Sequence, residues 1–227
     1  MRGDFEELIA SPGIRNANLN TWVFFDNRQS SFGITDPLPD VFYPNGTAVA
    51  VKSEGAQYFK WVHIMNQMVL MDELGEVDSD QPGILTDFME TALKDCIAHG
   101  GLEELVLVLS DHGGGLYGYG GDNDDGTRRL AQTNPSIAQA ITDALQRVPG
   151  TPPRLNVLGF DACQMQSLGA MDNYMGVTDY YLASMANEPG HGTCGRGEAW
   201  SAALSAAVDA STTESLSLSL FPSLPRG

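Results

Sequence analysis

The sequence has few basic residues, few cysteines and no long apolar run, and each of these shortages excludes a class of protein. Its 227 residues contain 12 Lys and Arg against 29 Asp and Glu, which gives a formal net charge of -17. Nucleic-acid binding requires clustered basic residues, so no nucleic-acid partner is expected. Three cysteines do not make the paired framework of a disulfide-stapled domain. No apolar run is long enough to span a bilayer, so no membrane partner is expected.

The length is sufficient for one domain with a sizeable core. We predict that this domain covers residues 4–210, and that a low-complexity tail of alternating Ser and Leu covers residues 211–227. The amino terminus is acidic within a few residues and lacks the apolar stretch of a secretory signal. The chain as written is therefore expected in the cytoplasm, with secretion as the alternative if its amino terminus is incomplete. We expect it to be a monomer.

Apolar runs of strand type alternate with segments of helical periodicity. This alternation is typical of βαβ units and predicts an α/β fold with a mostly parallel sheet. The predicted strands are Thr21–Phe25, Glu104–Leu109, Leu155–Leu158 and Tyr180–Ser184. The predicted helices are Tyr58–Leu74, Gly83–Ala98, one that starts with Asn134 as N-cap and Pro135 in its first turn, one after Cys163 with Met165, Leu168 and Met171 inward, and Ala199–Ala210.

A histidine and a cysteine follow two of the predicted strands. The segment Ser110–Gly115 contains His112, and the segment Gly159–Cys163 ends on Cys163. In an open parallel sheet the functional crevice lies outside the carboxyl ends of the strands, so both residues are expected there. A thiol with a pKa of about 8.5 is mostly protonated at neutral pH, and an imidazole beside it can take the proton and later return it to the leaving group. His112 and Cys163 are therefore the predicted catalytic pair.

The glycines next to the histidine are candidates for an oxyanion hole. Gly113 has no side chain to shield its backbone N–H, so this amide can approach a developing oxyanion, and the amide of Cys163 is the predicted second donor. The stretch His112–Gly115 also looks like the oxyanion motif of lipases and esterases, which makes an α/β-hydrolase esterase one alternative. That class also carries a G-x-S-x-G elbow, which the sequence lacks.

Four further segments complete a resemblance to the clostripain-like family of cysteine peptidases, which belongs with the caspases. These segments are Gly75–Val77, Leu85–Phe88, Ala183–Ser184 and Glu188–Gly190. Caspases carry Gln-Ala-Cys with the histidine about fifty residues upstream, and this chain has Asp161–Cys163 at a similar interval from its histidine. The resemblance extends over roughly residues 4–192.

The resemblance implies a caspase-like three-layer α/β sandwich, with helices on both faces of a mostly parallel sheet. It also implies a cysteine endopeptidase that cleaves after a basic P1 residue, with His112 as general base and Cys163 as nucleophile in a dyad that needs no third member. Asp161 matches the family position in the S1 pocket, where a carboxylate pairs with Arg or Lys by charge-assisted hydrogen bonds. A turn carboxylate that accepts backbone N–H groups is the alternative for Asp161.

Family members also resemble zymogens that cut themselves between the histidine and the cysteine, and Arg128 and Arg129 lie in that interval. No cofactor is expected to be required, although some relatives depend on calcium. Asp122 and Asp124 are candidate calcium ligands, because hard oxygen ligands in a glycine-containing turn suit that ion. A solvated acidic turn is the alternative, and the segment is not an EF-hand because its fifth position is Gly126.

Family members usually begin with a strand and a helix that this chain lacks before Asp4, and they continue well beyond Ser184. The chain is therefore expected to be a caspase-like domain truncated at both ends. A catalytically inactive caspase-like domain or fragment that serves protein interaction is the second functional alternative. The expected partner of the active form is a peptide or protein substrate with a basic P1 residue.

Overall fold

A computed structural model describes residues 2–27, 41–49, 55–100, 102–121, 130, 132–187, 202–203 and 205–206. Its helices are α1 (Arg2–Ala10), α2 (Pro82–Ala98), α3 (Asn134–Arg147) and α4 (Leu168–Met171). Its strands are β1 (Trp22–Asn27), β2 (Val41–Phe42), β3 (Gly55–Val62), β4 (Gln67–Gly75), β5 (Val106–Ser110), β6 (Leu155–Asp161) and β7 (Thr178–Leu182). Short 3-10 helices lie at Pro12–Arg15, Gly115–Tyr117 and Asp172–Tyr174.

The described strands form two sheets. In the first sheet β1, β3 and β4 pair antiparallel and β2 joins β4 in parallel, in the order β1-β3-β4-β2. In the second sheet β5, β6 and β7 are parallel and lie in that order. Helix α2 connects the two sheets, because its Phe88 packs on Phe24 of β1 and Tyr58 of β3 and shares one core with Leu107 of β5. The strands that precede the predicted catalytic residues His112 and Cys163 are β5 and β6, and both belong to the parallel sheet.

Helices cover both faces of the sheets and make three layers. On one face α2 and α3 pack against each other, and Ile137 of α3 belongs to the same core as the inner residues of β6. On the other face Phe5 of α1 stacks on Phe25 of β1, and Ala203, in a helical stretch, packs against Val157 of β6. The predicted three-layer α/β sandwich is confirmed.

The predicted helix over Tyr58–Leu74 is wrong, because this segment is the hairpin formed by β3 and β4. The turn between the strands ends at Asn66, whose φ of 51° lies in the left-handed region. Both faces of β3 are covered: Tyr58 packs on α2, and Phe59 packs on Phe5 of α1. Two of the apolar residues that produced the helical spacing, Ile64 and Met65, lie exposed in the turn, so apolar residues of two strands and their turn together imitate the period of a helix.

Helix α3 begins at Asn134 as predicted, but Asn134 is not its N-cap. Thr133 is the N-cap, and its side chain accepts a hydrogen bond from the amide of Ser136. The side chain of Asn134 is buried and makes other hydrogen bonds, which are described below. Helix α2 and strands β5, β6 and β7 overlap the segments predicted for them.

The helix predicted after Cys163 begins five residues after the cysteine and covers only Leu168–Met171, and one of the side chains predicted to point inward does not. Met165 is fully buried as predicted, whereas Leu168 is 85% exposed, so its predicted inward orientation is wrong. The amides of Gln164 and Gln166 donate to carbonyls of the segment that follows β7, which holds residues 164–166 out of helical geometry. Helix α4 begins only after Ser167, whose side chain is the N-cap.

No helix in the described part of the chain is both long enough and apolar enough to cross a membrane. The predicted tail over residues 211–227 lies outside the described residues, as do most residues of the predicted helix Ala199–Ala210.

Candidate active site

The parallel pairing of β5 with β6 brings the predicted histidine and cysteine to the same edge of the second sheet. The pairing aligns Ser110 with Asp161, and these two residues are fifty-one positions apart. His112 and Cys163 each follow two residues later and so keep the same separation. Because paired strands lie about 4.8 Å apart, the two residues leave their strands side by side.

The backbone of Gly113 lies directly against Cys163. A side-chain carbon on Gly113 would collide with the carbonyl oxygen of Cys163 and would lie 3.0 Å from its amide nitrogen. A residue with a side chain cannot make this approach unless the cysteine moves. The two predicted oxyanion donors, the amides of Gly113 and Cys163, therefore lie on touching stretches of main chain.

Residues 113–119, here called the glycine loop, fold back on themselves after the histidine. The amide of Gly120 donates to the carbonyl of His112 at 2.9 Å and closes the loop at its base. Gly115 has a φ of 57°, and a side-chain carbon on it would lie 2.8 Å from the carbonyl oxygen of Gln164. The loop is therefore packed against the segment that follows the cysteine.

The two cysteines in the described part of the chain have different environments. Cys163 forms no disulfide and is only partly buried, and His112, which follows the neighbouring strand, is exposed. Cys96 is a free thiol on the inner face of α2, where burial and the nearby Asp95 carboxylate raise the pKa of its thiol. A thiol with a raised pKa is a poor nucleophile at neutral pH, so Cys163 is the better candidate on environment alone.

Asp161 is a buried carboxylate two residues before the cysteine. It is the last residue of β6 and is only 7% exposed. The preceding residue, Phe160, packs in the aromatic core, and consecutive residues of a strand point to opposite faces, so Asp161 faces away from that core. One of its carboxylate oxygens accepts a hydrogen bond from the Ser110 hydroxyl at 3.5 Å.

Asp111 sits between β5 and the histidine and was not predicted to have a separate role. Burial raises the pKa of its carboxyl, and the Asp80 carboxylate raises it further, against the hydrogen bond that the amide of His112 donates to its side chain. That hydrogen bond has a length of 2.6 Å and fixes the backbone at the histidine. Asp111 is therefore part of the local structure that orients His112.

Gln164, directly after the cysteine, was also missed. Its φ of 59° is in the left-handed region, which costs a residue other than glycine about 1 kcal/mol or more. Its backbone amide donates to the carbonyl of Ala186 at 3.0 Å, and its side-chain amide donates to Asn187 at 2.8 Å. No sequence signal marks this position, because left-handed residues are normally identified by Gly or Asn.

Several predicted site residues cannot be compared with the structure. Asp122, Asp124, Arg128 and Arg129 all lie outside the described residues. Within the described ranges, no group of three or more His, Cys, Asp or Glu side chains could hold a metal ion.

A family model and several solved structures match this chain. The model of the clostripain family, Peptidase_C11, matches residues 1–207. A secreted C11 cysteine protease from Bacteroides thetaiotaomicron, solved in complex with an irreversible peptide inhibitor, is similar with a TM-score of 0.61 and 17% identity, and the match covers 96% of this chain and 51% of that chain. An inactive zymogen C11 protease from Parabacteroides distasonis is similar with a TM-score of 0.50 and 16% identity, over 86% of this chain and 45% of that chain.

The solved structures and the family model support different conclusions about this chain. At such low identity the solved structures show the fold alone, and the chain spans about half the length of the Bacteroides protein. The comparison with curated protein sequences found no match. The family model, in contrast, covers most of the chain, including both predicted catalytic residues. The chain therefore belongs to the clostripain family of cysteine peptidases.

Proposed function

We propose that this chain is the catalytic domain of a cysteine endopeptidase in which Cys163 is the nucleophile and His112 is the general base. The observation that carries the proposal is the β5–β6 register, which pairs Ser110 with Asp161, the residues two positions before His112 and Cys163, at the carboxyl edge of the parallel sheet. Membership of the clostripain family supports it. The Bacteroides protein was solved with an irreversible peptide inhibitor, which is consistent with a peptide substrate.

The proposed reaction is acyl transfer through a thioester. His112 takes the proton of the Cys163 thiol, the sulfur attacks the carbonyl carbon of the scissile bond, and the imidazolium then protonates the leaving amine. The oxyanion that forms in each step accepts hydrogen bonds from the amides of Gly113 and Cys163. A water molecule, deprotonated by His112, hydrolyses the thioester and regenerates the thiol.

Specificity for a basic P1 residue is the second part of the proposal, and Asp161 is the residue that we assign to it. Its carboxylate is buried beside the nucleophile, where a substrate guanidinium or ammonium would gain charge-assisted hydrogen bonds and would neutralise it. The acidic chain, with its net charge of -17, also favours the approach of basic peptides.

The test compares four fluorogenic peptides that differ only at P1, with Arg, Lys, citrulline or Asp, each with and without added calcium. Citrulline has the shape of Arg without its charge. We expect turnover of the Arg and Lys peptides that disappears in Cys163→Ala and His112→Ala. Asp161→Asn should reduce kcat/KM for Arg by at least about thirtyfold, because breaking a buried charge pair costs about 2–5 kcal/mol, and should leave citrulline almost unchanged.

Three results would contradict parts of the proposal. Equal losses for Arg and citrulline in Asp161→Asn would show that this residue is structural. Preference for Asp at P1 would reject the basic specificity. Absence of turnover under every condition would favour a caspase-like interaction domain.

Self-processing and calcium dependence are further proposals. The candidate cleavage site, Arg128 and Arg129, lies between the proposed base and nucleophile in sequence, and the Parabacteroides protein is a zymogen. The proposed location of the chain is the cytoplasm. Secretion of the full-length protein is the alternative, because the Bacteroides protein is secreted. Cell fractionation would decide between the two locations.

A further inference from the structure

Two stacked tyrosines, the buried Tyr174 and the partly buried Tyr181, are linked by hydrogen bonds to the two segments of the candidate site. The rings of Tyr174 and Tyr181 stack, with centroids 5.4 Å apart and an interplanar angle of 25°. Both pack against Phe160 of β6, which lies three residues before the proposed nucleophile, Cys163. Each tyrosine directs its hydroxyl to a different loop, so one rigid aromatic pair is connected to both sides of the site.

The connection from Tyr174 reaches the glycine loop through Asn134. The Tyr174 hydroxyl donates to Oδ1 of Asn134 at 3.0 Å, and Nδ2 of Asn134 donates to the carbonyl of Gly115 at 2.9 Å. Asn134 is 2% exposed and Tyr174 is 1% exposed. The side-chain amide of Asn134 cannot be flipped, because the carbonyl of Gly115 can only accept a hydrogen bond and must therefore face the NH₂ group.

The connection from Tyr181 reaches the nucleophile's own segment. Its hydroxyl donates to the carbonyl of Met165 at 2.8 Å, two residues after Cys163. Burial raises the pKa of both Tyr174 and Tyr181 above the ordinary value of 10.0. Both hydroxyls therefore remain protonated and continue to donate over the whole range in which a cysteine peptidase operates.

From these contacts we infer that Asn134, Tyr174 and Tyr181 are positioning residues for the peptidase reaction, an inference that rests on the proposed function. They set the distance between the glycine loop, which carries the Gly113 amide, and the segment that carries Cys163. None of the three is assigned contact with substrate. Oxyanion stabilisation and nucleophilic attack both depend on geometry fixed to within a fraction of an ångström, so the loss of one hydroxyl should reduce the rate of the chemical step.

The variants Tyr174→Phe and Tyr181→Phe remove one hydroxyl each and leave the stacked rings in place. Asn134→Leu removes both hydrogen bonds of the amide in a side chain of similar size. The matched control is Tyr58→Phe, which removes the hydroxyl of a buried tyrosine whose ring contacts are Phe24 and Phe88. Thermal unfolding of all four variants separates lost stability from lost positioning.

We expect Tyr174→Phe and Tyr181→Phe to reduce kcat at least about tenfold with KM changed less than about twofold. Tyr58→Phe should keep the wild-type kcat. Because Tyr174 acts through Asn134, the double variant of these two residues should be no slower than Asn134→Leu alone. Wild-type kcat in both tyrosine variants, whatever their melting temperatures, would overturn the inference, and so would fully additive effects of Tyr174 and Asn134.

Two readouts that need no turnover keep this test separate from that of the proposed function. The rate at which iodoacetamide alkylates Cys163, followed by peptide mass spectrometry against pH, should change in His112→Ala if the dyad exists. No change there, together with no turnover, would reject the peptidase. Amide hydrogen exchange in residues 113–119 reports the position of the loop directly. Faster exchange in Tyr174→Phe than in Tyr58→Phe supports the inference, and equal exchange overturns it.

Discussion

Replacing Gly113 by alanine should damage the candidate site through its main chain. The added carbon would meet the carbonyl oxygen of Cys163 and would lie 3.0 Å from both the amide nitrogen of Cys163 and the side chain of Ala162. None of these atoms belongs to a flexible side chain that could turn away, so the main chain at the nucleophile must move. Overpacking of this kind costs about 1–3 kcal/mol. For a chain of this length we expect Tm to fall by roughly 2–12 °C.

The catalytic effect should exceed the effect on stability. Moving the Cys163 backbone displaces both the sulfur and the amide that we propose as an oxyanion donor, and a displacement of about 1 Å can reduce a rate about a hundredfold. The assay is kcat/KM with an Arg-P1 peptide beside a thermal melt. Gly83→Ala is the control, because a side-chain carbon at Gly83, the second residue of α2, meets nothing within 4 Å, so Tm and kcat/KM should both stay close to those of the wild type. Wild-type kcat/KM in Gly113→Ala would refute the reasoning.

Two further predictions concern the cleavage interval and the residue before the histidine. If the chain processes itself, the intact mass of the wild type should show two fragments, whereas Cys163→Ala and a double Arg128→Ala, Arg129→Ala variant should stay whole; full-length wild type would reject self-processing. Burial raises the folded-state pKa of Asp111 above its ordinary 3.8, so the stability of the wild type should fall relative to Asp111→Asn as the pH rises above about 4. A Tm difference that does not change with pH would contradict this assignment.

The two strands that lead to the candidate site could be predicted from the sequence because their signals are local. Buried parallel strands are short continuous apolar runs, and β5 and β6 each end where such a run meets a polar residue, Ser110 or Asp161. Their alignment in one sheet followed from the alternation of strands and helices. The apolar periodicity gave a wrong prediction, a helix, at the β3–β4 hairpin. There Tyr58 and Phe59 are both buried although they face opposite sides of the strand.

The positioning residues could not be predicted, because their contacts connect distant parts of the chain. Asn134 and Tyr174 are forty positions apart and meet only once α3 has packed beside the 3-10 helix at Asp172–Tyr174. In the sequence Asn134 before Pro135 has the pattern of a helix cap, a role that Thr133 fills in the structure. The prediction that Leu168 points inward was wrong for a related reason. The amide of Gln166 donates a hydrogen bond to the carbonyl of Ser184, a residue distant in sequence, and α4 begins only after this contact.

Contacts other than the peptide bonds of residues 122–129 hold together the parts of the chain before and after this interval. Tyr119 and Gln132 exchange two backbone hydrogen bonds across it, Asn134 reaches back to Gly115, and β5 before the interval pairs with β6 after it. A single cut there would convert one folded chain into a complex of two chains that share a core. Its stability would then depend on protein concentration. Dilution alone could separate the histidine from the cysteine, so a processed enzyme would lose activity at concentrations where the uncut chain stays folded.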